Sequence, residues 1–316
     1  MSHDVNTPIE PAMSDTRTIL VTGATGLVGR SLVRSLAQSG TNVLALSRDA
    51  RAAERLLGSV SVRCIERLDT LPADTSIDAV VHLAGARVLD SRWTAPRRAI
   101  LVRSRAHIAE QVVALVGRLR RAPRVLVSAS AVSYYGNAGV APRGESDGPV
   151  GQGFGSQLCV QVEAAASRAL ALGVRVVPLR LGIVLAGDDG ALPPLAASAR
   201  FGLGAILGSG RQPVTWIHLV DAVRLIRFAI ETEGLRGPVN AVAPETPAQA
   251  DFIRAIAARF GRNVHVRVPA VVLRALLGER AVLLLDGQVA VPRAALDAGF
   301  VFLHPNLAGA LKDLLP

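Results

Sequence analysis

Short apolar runs alternate along this chain with longer segments whose apolar residues recur at helical spacing. The first run, Thr18–Thr22, is rich in β-branched residues and predicts a buried parallel strand. Leu27 and Leu32 then begin a helical repeat, and Gly40 follows at the position where that helix should end. Asn42–Leu46 predicts a second strand. The chain therefore opens with a strand, a turn, a helix and a strand.

The same alternation continues for most of the chain. Further strands are predicted at residues 60–65, 79–83, 124–128, 174–179 and 214–217, and helices at residues 50–57, 95–116, 156–170 and from 220. This alternation is typical of an α/β fold in which helices cover both faces of a doubly wound parallel sheet. From Gly182 onward glycine and proline interrupt the pattern. Shorter helices are predicted there at residues 249–260, 269–277 and 306–315.

Three glycines at three-residue spacing, Gly23, Gly26 and Gly29, lie between the first strand and its helix. The first permits a tight turn, the second lets the backbone approach a pyrophosphate, and the third lets the helix pack closely on the strand. Backbone N–H groups at the start of the helix then face the anion. A purely structural turn is the alternative. The strand before the glycines and the helix and strand after them favour dinucleotide binding.

The end of the second strand indicates which dinucleotide is bound. Sites that prefer NAD usually carry Asp or Glu there to bind the ribose 2′-hydroxyl, whereas this chain has Ser47 and Arg48. A guanidinium can grip a 2′-phosphate with two parallel hydrogen bonds, and a serine hydroxyl can add a third. Asp49 as the ribose acid is the rival interpretation, but this residue is better placed as the N-cap of the next helix. We therefore expect NADP.

These features divide the chain into a larger and a smaller part. We expect a disordered tail at residues 1–16 and an NADP-binding Rossmann domain at residues 17–181, to which residues 214–237 return. Residues 182–213 and 238–316 are expected to form a smaller C-terminal α+β lobe that closes over the substrate.

Composition and charge change this picture little. The net charge is +10, but the basic residues are scattered and only 3% of residues are aromatic, so we expect no nucleic-acid partner. Cys64 and Cys159 lie far apart and match no metal spacing, which indicates a reducing compartment and no metal site. The first sixteen residues do not resemble a signal peptide, and charged residues interrupt the most apolar later stretch. We therefore expect a soluble, cytoplasmic protein without a membrane partner.

Four motifs, TGATGLVG, LAG, YYG and GSGRQPVTWIHLVD, carry a family resemblance. They resemble the atypical extended short-chain dehydrogenase/reductases, and most of all the epimerase-family proteins, NAD-dependent epimerase/dehydratase-like, that carry a C-terminal domain of unknown function. The resemblance runs from Thr18 to Leu315. The segment RVPAVVLRALLGERAVLLLDGQVAVPRAALDAGF, which begins at Arg267, resembles that C-terminal domain.

The resemblance implies NADP binding by residues of the glycine turn, of the second and fourth strand ends and of the long helix. These residues are Gly23, Thr25, Gly26, Leu27, Val28, Gly29, Ser47, Arg48, Leu83, Ala84 and Arg105. It also implies that Val184 lines the nicotinamide end of the site. By itself Arg105 is one of many helical arginines, and only the resemblance makes it a contact for a phosphate or ribose.

The chain departs from that family at the usual catalytic pair. Typical members use a tyrosine as acid/base and a lysine four residues later, but Lys312 is the single lysine of this chain, and its two tyrosines are adjacent. By position, Gly153 and Gln157 are expected to replace the pair. A glycine cannot move a proton, and a glutamine cannot stabilise a phenolate by charge. The chain therefore uses another acid/base or catalyses no redox reaction.

The candidate catalytic groups are Ser130, Tyr135 and Tyr134. Ser130 follows the fifth predicted strand, where a hydroxyl would orient a substrate carbonyl, and a plain loop serine fits equally well. One tyrosine is a candidate proton donor and the other is expected to pack beneath the loop. Arg211 is the candidate for gripping a phosphate, nucleotide or carboxylate of the substrate.

Four further residues have simpler interpretations. We expect His218 to be structural and Cys159 to be a small buried apolar residue. Glu145 and Asp147 are expected to be solvated, with binding of a polar substrate as the alternative.

Together these patterns predict an NADP(H)-binding oxidoreductase or epimerase that acts on a small polar or sugar-like substrate. The nicotinamide would exchange a hydride with a carbinol or carbonyl carbon whose oxygen Ser130 holds. The absent tyrosine–lysine pair leaves two alternatives, an NADP(H)-binding sensor or scaffold without catalysis and a non-redox lyase or isomerase. Whether the chain forms a homodimer stays open.

Overall fold

Strands whose side chains alternate between two apolar faces form the centre of the molecule. The computed structural model describes residues 17–151 and 153–315, so the predicted tail at residues 1–16 lies outside the described residues. In the first strand, Ile19 and Val21 pack into one core and Leu20 into another. This arrangement requires helices on both sides of the sheet.

Thirteen strands are assigned over the described part of the chain. They are β1 Thr18–Thr22, β2 Asn42–Leu46, β3 Val62–Ile65, β4 Ala79–His82, β5 Val125–Ala131, β6 Gly139–Arg143, β7 Arg175–Leu181, β8 Ile183–Leu185, β9 Ala205–Leu207, β10 Trp216–His218, β11 Val239–Ala241, β12 Val266–Val268 and β13 Gln288–Ala290.

Seven of these strands form one parallel sheet in the order β11-β7-β5-β4-β1-β2-β3. The chain builds outward from β1 through β2 to β3, then returns to the other side of β1 with β4. A crevice opens at the carboxyl ends of the strands where the order reverses, and ligands of such sheets bind there. The predicted doubly wound α/β fold is confirmed.

Twelve α-helices are assigned within the same described ranges. They are α1 Leu27–Gln38, α2 Ala50–Leu57, α3 Ala95–Val102, α4 Ile108–Arg118, α5 Phe154–Ser167, α6 Leu192–Arg200, α7 Leu219–Glu231, α8 Gln249–Ala258, α9 Ala270–Leu277, α10 Val282–Leu285, α11 Arg293–Asp297 and α12 Leu307–Leu314. None of the described helices is long and apolar enough to cross a membrane.

The helices cover the sheet from both sides. Leu32 and Leu36 of α1 and Leu225 and Ile226 of α7 share a core with β1, β2 and β5. On the opposite side Val112 and the rest of the apolar face of α4 pack with α5 against the same strands. The α/β layers are therefore those predicted from the sequence.

One predicted helix, residues 95–116, is interrupted. A π-helical turn, Arg103–His107, separates α3 from α4. Apolar periodicity does not reveal the wider turn, because the flanking helices keep their own buried faces. The turn brings Ser104 and Arg105 against the loop that follows β4.

The predicted domain boundaries need two corrections. Residues 214–217 were expected to return to the main sheet, but β10 pairs with β8 in a separate sheet. Gly182 allows this close pairing, since a Cβ there would lie 2.8 Å from the carbonyl oxygen of Thr215. Residues from 238 were expected in the small lobe, but β11 is the fully buried edge strand beside β7. The chain thus passes between the two parts more often than the positions of its glycine- and proline-rich segments indicate.

The second lobe has its own apolar core and is joined to the first by a strand pair. Trp216, Phe252, Ile256 and Leu311 are buried together in that core. Near the C-terminus β13 pairs with β6. The segment between β5 and β6 carries Tyr134 and Tyr135 and is called the tyrosine loop. The C-terminal segment therefore forms a separate two-stranded sheet with the segment that follows the two tyrosines.

Candidate functional site

The glycine turn after β1 has no room for side chains at two of its three glycines. Gly23 adopts a φ of +69°, and a Cβ there would lie 2.6 Å from the carbonyl group of Leu83 and from the amide nitrogen of Ala84. A Cβ on Gly29 would lie 2.1 Å from the Gly23 carbonyl oxygen. Gly26 is the N-cap of α1 and offers no side chain to bond the helix amides. The first-turn N–H groups are therefore left for an external acceptor.

A cleft of about 1190 Å³ opens beside this turn, at the carboxyl ends of β1, β2 and β4. Its lining includes seven of the predicted cofactor contacts, Gly23, Thr25, Gly26, Ser47, Arg48, Leu83 and Ala84. Leu27, Val28 and Gly29 follow directly in the first turn of α1. Arg105 and Val184 are not among the lining residues. The structure brings most of the predicted set together, and their contacts with a cofactor stay predictions.

The three residues after β2 are arranged as the NADP interpretation requires. The Asp49 carboxylate accepts a hydrogen bond of 2.8 Å from the Ala52 amide as the N-cap of α2. The Ser47 hydroxyl donates to the Asp49 carbonyl at 3.1 Å. The exposed Arg48 guanidinium makes no ion pair or hydrogen bond within the described ranges. The Asp49 carboxylate, the candidate for the ribose acid of an NAD site, is thus already used as a helix cap. The Arg48 guanidinium is available to bind the 2′-phosphate of NADP.

Arg105 lies beneath the cleft wall instead of on its surface. Its guanidinium donates to the Ala86 carbonyl at 2.8 Å and to the Leu101 carbonyl at 3.4 Å. A Cβ on Gly85 would lie 2.8 Å from the guanidinium carbon, so the glycine packs directly over the arginine. Burial lowers the pKa of Arg105. The arginine therefore holds the loop of residues 84–86 from below.

His82 connects β1, β4 and the π-helical turn. Its Nδ1 is 2.7 Å from the Thr22 hydroxyl and its Nε2 is 3.2 Å from the Arg105 carbonyl oxygen. Burial lowers the pKa of His82 to about 4, so the ring is neutral at physiological pH. The Thr22 hydroxyl also lies 3.4 Å from the Ala84 amide. This neutral network fixes the part of the cleft wall after β4.

Val184 and Arg211 do not line this cleft. Val184, in β8, is half-buried and packs against the core that contains α1 and α7. Arg211 is exposed in the loop after β9, where its backbone amide bonds the Ser209 hydroxyl at 3.2 Å. The structure does not bring Arg211 together with the other candidates, and its substrate role stays a prediction.

A second polar cluster lies where β5 and β7 end, and sequence reasoning did not identify it. Ser130 pairs in register with Arg180, and Glu163 of α5 lies over both. The Ser130 hydroxyl donates to Glu163 Oε1 at 2.7 Å. Arg180 donates from Nε to the same oxygen and from Nη2 to Oε2, each at 3.0 Å. Burial lowers the pKa of Arg180, but its bonds to Glu163 outweigh this effect and raise the pKa overall.

The two tyrosines flank this arginine in different ways. Arg180 stacks on the half-buried Tyr134 with its guanidinium carbon 3.5 Å from the ring centroid. Tyr135 is 0% exposed, and its hydroxyl accepts from Arg180 Nη1 at 2.9 Å. The Tyr135 hydroxyl also lies 2.8 Å from the Asn240 side-chain oxygen and 3.0 Å from the Gly144 carbonyl, its possible acceptors.

The prediction of Tyr135 as a catalytic group is corrected by this geometry. A proton donor must reach the substrate, whereas the Tyr135 phenol is enclosed and its hydrogen bonds are all made to protein groups. Burial also raises the pKa of Tyr135, against the opposing effect of Arg180. Tyr135 is therefore the tyrosine that packs beneath the loop, and Tyr134 remains as the candidate.

The two residues expected at the positions of the tyrosine–lysine pair are both exposed. Gly153 lies before the start of α5, and Gln157 lies on that helix. Two other α5 residues with the same four-residue spacing, Cys159 and Glu163, contact Ser130. Burial raises the pKa of the Cys159 thiol to about 11, so this group stays protonated at neutral pH. The predicted apolar, unreactive role of Cys159 agrees with that environment.

The C-terminal lobe supports the tyrosine loop through backbone atoms. The Asn240 side-chain nitrogen donates to the Val291 carbonyl at 2.9 Å, and its oxygen faces the Tyr135 hydroxyl. Glu145 was expected to be solvated, but its Oε1 accepts from the Asn240 and Ala294 amides at 3.0 and 3.2 Å. The Glu145 carboxylate thus joins β11 to the start of α11.

One group of possible metal ligands occurs among the described residues, formed by His218, His304 and Asp313 within 4.8 Å of one another. His218 Nδ1 accepts from the Val220 amide at 3.1 Å, so a neutral ring carries its proton on Nε2. Nε2 lies 3.2 Å from Asp313 Oδ2 without the alignment of a hydrogen bond. The ring nitrogen that faces the group therefore has no lone pair for a metal, and the predicted structural role of His218 fits this geometry.

Comparisons with known proteins agree with these features. Residues 19–242 match the model of the NAD dependent epimerase/dehydratase family, and residues 268–314 match a domain of unknown function, DUF1731. The chain is 33% identical over 297 residues to the epimerase family protein YfhF of Bacillus subtilis, which covers 94% of this chain and 97% of that protein. It is 37% identical over 300 residues to the epimerase family protein Mb2239 of Mycobacterium bovis, with 93% and 96% coverage.

A solved structure extends the likeness to the whole fold. The human epimerase family protein SDR39U1 (isoform 2), solved with NADPH, superposes with a TM-score of 0.83 and 30% identity. The match covers 94% of this chain and 99% of the human one. The family resemblance expected from the motifs is thus confirmed by matches that extend over both parts of the chain. The chain belongs to the NAD dependent epimerase/dehydratase family, and its C-terminal part is a domain of unknown function, DUF1731.

Proposed function

We propose that this protein is an NADPH-dependent oxidoreductase or epimerase that acts on a small polar or sugar-like substrate. The observation that carries the proposal is the proximity of two sites at one sheet edge. A cleft with the features of an NADP site lies beside β4. The next two strands, β5 and β7, carry Ser130 and Arg180, and Glu163 of α5 binds both.

The residues of the cleft fit NADPH. Side chains are excluded at Gly23 and Gly29, so the backbone amides at the start of α1 are open to a pyrophosphate. The unpaired Arg48 would hold the 2′-phosphate, and Asp49 is already used as a helix cap. The human relative was solved with the same cofactor. When bound, NADPH supplies the hydride for reduction of a carbonyl carbon.

Selectivity for the 2′-phosphate can be measured directly. We expect Arg48→Ala to weaken NADPH binding about 10- to 100-fold, because a charge-assisted pair of hydrogen bonds is lost, and to leave NADH binding nearly unchanged. Titration calorimetry with both coenzymes measures the change. The matched control is Arg51→Ala, which changes an exposed arginine of α2 three residues later. This variant should bind NADPH as the wild type does. Equal losses for the two coenzymes would refute the NADP assignment.

Proton transfer in this proposal belongs to Tyr134. Tyr134 is half-buried on the loop after β5, whereas Tyr135 is enclosed. As the phenol gives its proton to the substrate oxygen, negative charge builds on the ring. The stacked Arg180 guanidinium, 3.5 Å from the ring centroid, stabilises that charge. A buried arginine would thus take the electrostatic part that a lysine plays in typical relatives.

Replacing each tyrosine separately tests this assignment. We expect Tyr134→Phe to lower kcat at least 100-fold while NADPH affinity is kept, because the proton donor is lost but the cleft is intact. Tyr135→Phe should keep turnover within a few-fold of wild type and lower the unfolding free energy by about 1 kcal/mol, the net value of a buried hydrogen bond. Comparable turnover in wild type and Tyr134→Phe would exclude the phenol as the donor.

A non-catalytic NADPH sensor is the second candidate, and a specific observation favours it. The usual tyrosine–lysine pair is absent, and the oxygens of Glu163 are filled by Ser130 and Arg180. Incubation with NADPH and a panel of aldehydes, ketones and keto sugars, followed by absorbance at the NADPH band, separates the two. Oxidation of the cofactor by any member supports an oxidoreductase, and tight binding without oxidation across the panel supports the sensor. Product formation without an absorbance change would indicate a lyase or isomerase.

A further inference from the structure

The hydroxyl of Ser130 has a fixed hydrogen-bond direction. A serine oxygen carries one proton and two lone pairs. The proton is directed to Glu163 Oε1 at 2.7 Å, and a carboxylate can only accept. The Ser130 oxygen therefore keeps lone pairs, and no proton, for other partners.

Arg180 also donates to Glu163 and so fixes this direction. The guanidinium is 2% exposed and binds both carboxylate oxygens, each at 3.0 Å. A guanidinium has only donors, so both carboxylate oxygens act as acceptors toward it. In the bond between Ser130 and Glu163 the serine is therefore the donor.

The other neighbours of Ser130 do not reverse its direction. The buried Cys159 thiol touches Ser130 and the Ala131 backbone and is at most a weak donor. Ser130 itself lies in the half-buried last part of β5, after four fully buried residues of that strand.

We infer that Ser130 recognises a hydroxyl group of the substrate by accepting its hydrogen bond, and does not hold a carbonyl oxygen. This inference rests on the proposed function and corrects the role expected for Ser130 from the sequence. A carbonyl offers only lone pairs, so it would face the lone pairs of Ser130 unless the serine gave up its charge-assisted bond to Glu163. The substrate class favoured at this position is an alcohol or a polyol, and in a hydroxycarbonyl substrate the hydroxyl would lie on Ser130 and the carbonyl near Tyr134.

Matched alcohols and ketones test the inference without turnover. The probes are cyclohexanol with cyclohexanone and butan-2-ol with butan-2-one, added to the full-length protein saturated with 1,4,5,6-tetrahydro-NADP, which cannot transfer a hydride. Saturation-transfer NMR titrations give the dissociation constants. We expect each alcohol to bind about tenfold more tightly than its ketone. With an alcohol bound, Ser130 keeps its charge-assisted hydrogen bond to Glu163, whereas a ketone makes Ser130 exchange that bond for a neutral one.

Three variants show whether Ser130 causes the preference. Ser130→Ala should abolish it, and Ser133→Ala, which removes a nearby hydroxyl with no bond to Glu163, should keep it. The double variant Glu163→Leu with Arg180→Met removes the ion pair without leaving a lone buried charge. It frees the Ser130 proton, so the ketones should then bind as well as the alcohols. If this double variant does not fold, Ser130→Ala still decides.

The outcomes separate this inference from the proposed function. Ketones that bind wild type as tightly as the alcohols, or an alcohol preference that survives Ser130→Ala, would overturn it. Absence of alcohol binding to a protein that binds NADPH would overturn it too, while the cofactor assignment stands. Absence of NADPH binding in calorimetry would instead overturn the proposed function and this inference with it.

Discussion

Buried His82 makes the stability of the folded protein depend on pH. Burial lowers the pKa of the ring from 6.5 to about 4. In the unfolded chain the ring takes up a proton below pH 6.5, whereas the folded ring stays neutral until about pH 4. Its stabilising contribution is therefore complete above pH 6.5 and is lost as the pH falls from 6.5 to about 4.

We expect His82 to contribute about 3 kcal/mol to the fall in unfolding free energy across that pH range. Urea unfolding of wild type and His82→Gln at a series of pH values measures this contribution, because glutamine has no proton to take up. His107→Gln, at an exposed histidine, is the control and should keep the wild-type slope. Equal slopes for wild type and His82→Gln would show that the ring is not held neutral.

Single residues differ in how far the sequence reveals their roles. The glycine turn and Arg48 were predicted, because their roles depend on neighbours within one strand–turn–helix unit. Glu163 and Arg180 were not identified, because their pairing joins a helix to a strand 17 residues later and depends on burial. A signal was present, since a lone arginine in the apolar strand VVPLRL and a lone glutamate beside the small residues of EAAAS each need a partner if buried.

At the scale of elements, the π-helical turn between α3 and α4 supports the cleft wall after β4. Ser104 accepts from the Ala86 amide at 3.0 Å, while Arg105 donates to the Ala86 carbonyl. The backbone N–H and C=O groups of Ala86 therefore both have hydrogen-bond partners in the π-helical turn. A regular helix would place these side chains differently, which explains why π turns occur at functional sites.

This arrangement predicts that removal of the Arg105 guanidinium weakens the binding of NADPH and of NADH equally. We expect Arg105→Met to weaken the binding of NADPH and of NADH about tenfold each, because the loop predicted to contact both coenzymes loses its support. Parallel calorimetric titrations measure the two affinities, and Arg103→Met, at an exposed arginine of the same turn, is the control. A loss confined to NADPH would mean that Arg105 binds the 2′-phosphate itself.

Element boundaries were predicted well where the apolar pattern was long and poorly where strands were short. The strands of the nucleotide unit and the helix face of α7 follow from periodicity. The three-residue strands β10 and β11 exchange their expected sheets, because so short a segment has no pattern that tells a sheet edge from a small lobe. Their placement is decided by the tertiary contacts of Gly182 and β7.

For the whole molecule, Asp221 is a main connection between the Rossmann part and the C-terminal segment. It is 0% exposed on α7, and its carboxylate accepts from the Leu303 and His304 amides at 2.9 and 2.8 Å. It also pairs with Arg224, three residues later, at 3.0 Å. Replacing the carboxylate by an amide would leave one of these two backbone amides without a full acceptor.

The chain offers a matched control for this connection. Asp251 and Arg254 on α8 form an ion pair with the same spacing and the same 3.0 Å distance, but both side chains are exposed. We expect Asp221→Asn to lower the unfolding free energy by about 1–3 kcal/mol, and Asp251→Asn to change it by less than about 0.5 kcal/mol. Urea unfolding measures both. Similar effects of the two substitutions would show that Asp221 does not connect the two parts.

The pairing of β13 with β6 has a consequence for how the protein is made. Synthesis proceeds from the N-terminus, so the strand–turn–helix–strand unit of the coenzyme cleft is made well before β13. The support for the tyrosine loop comes from Val291 and its neighbours, which leave the ribosome later. A nascent chain would therefore complete its coenzyme cleft before its tyrosine loop is supported, and a product that terminates before β13 would lack that support.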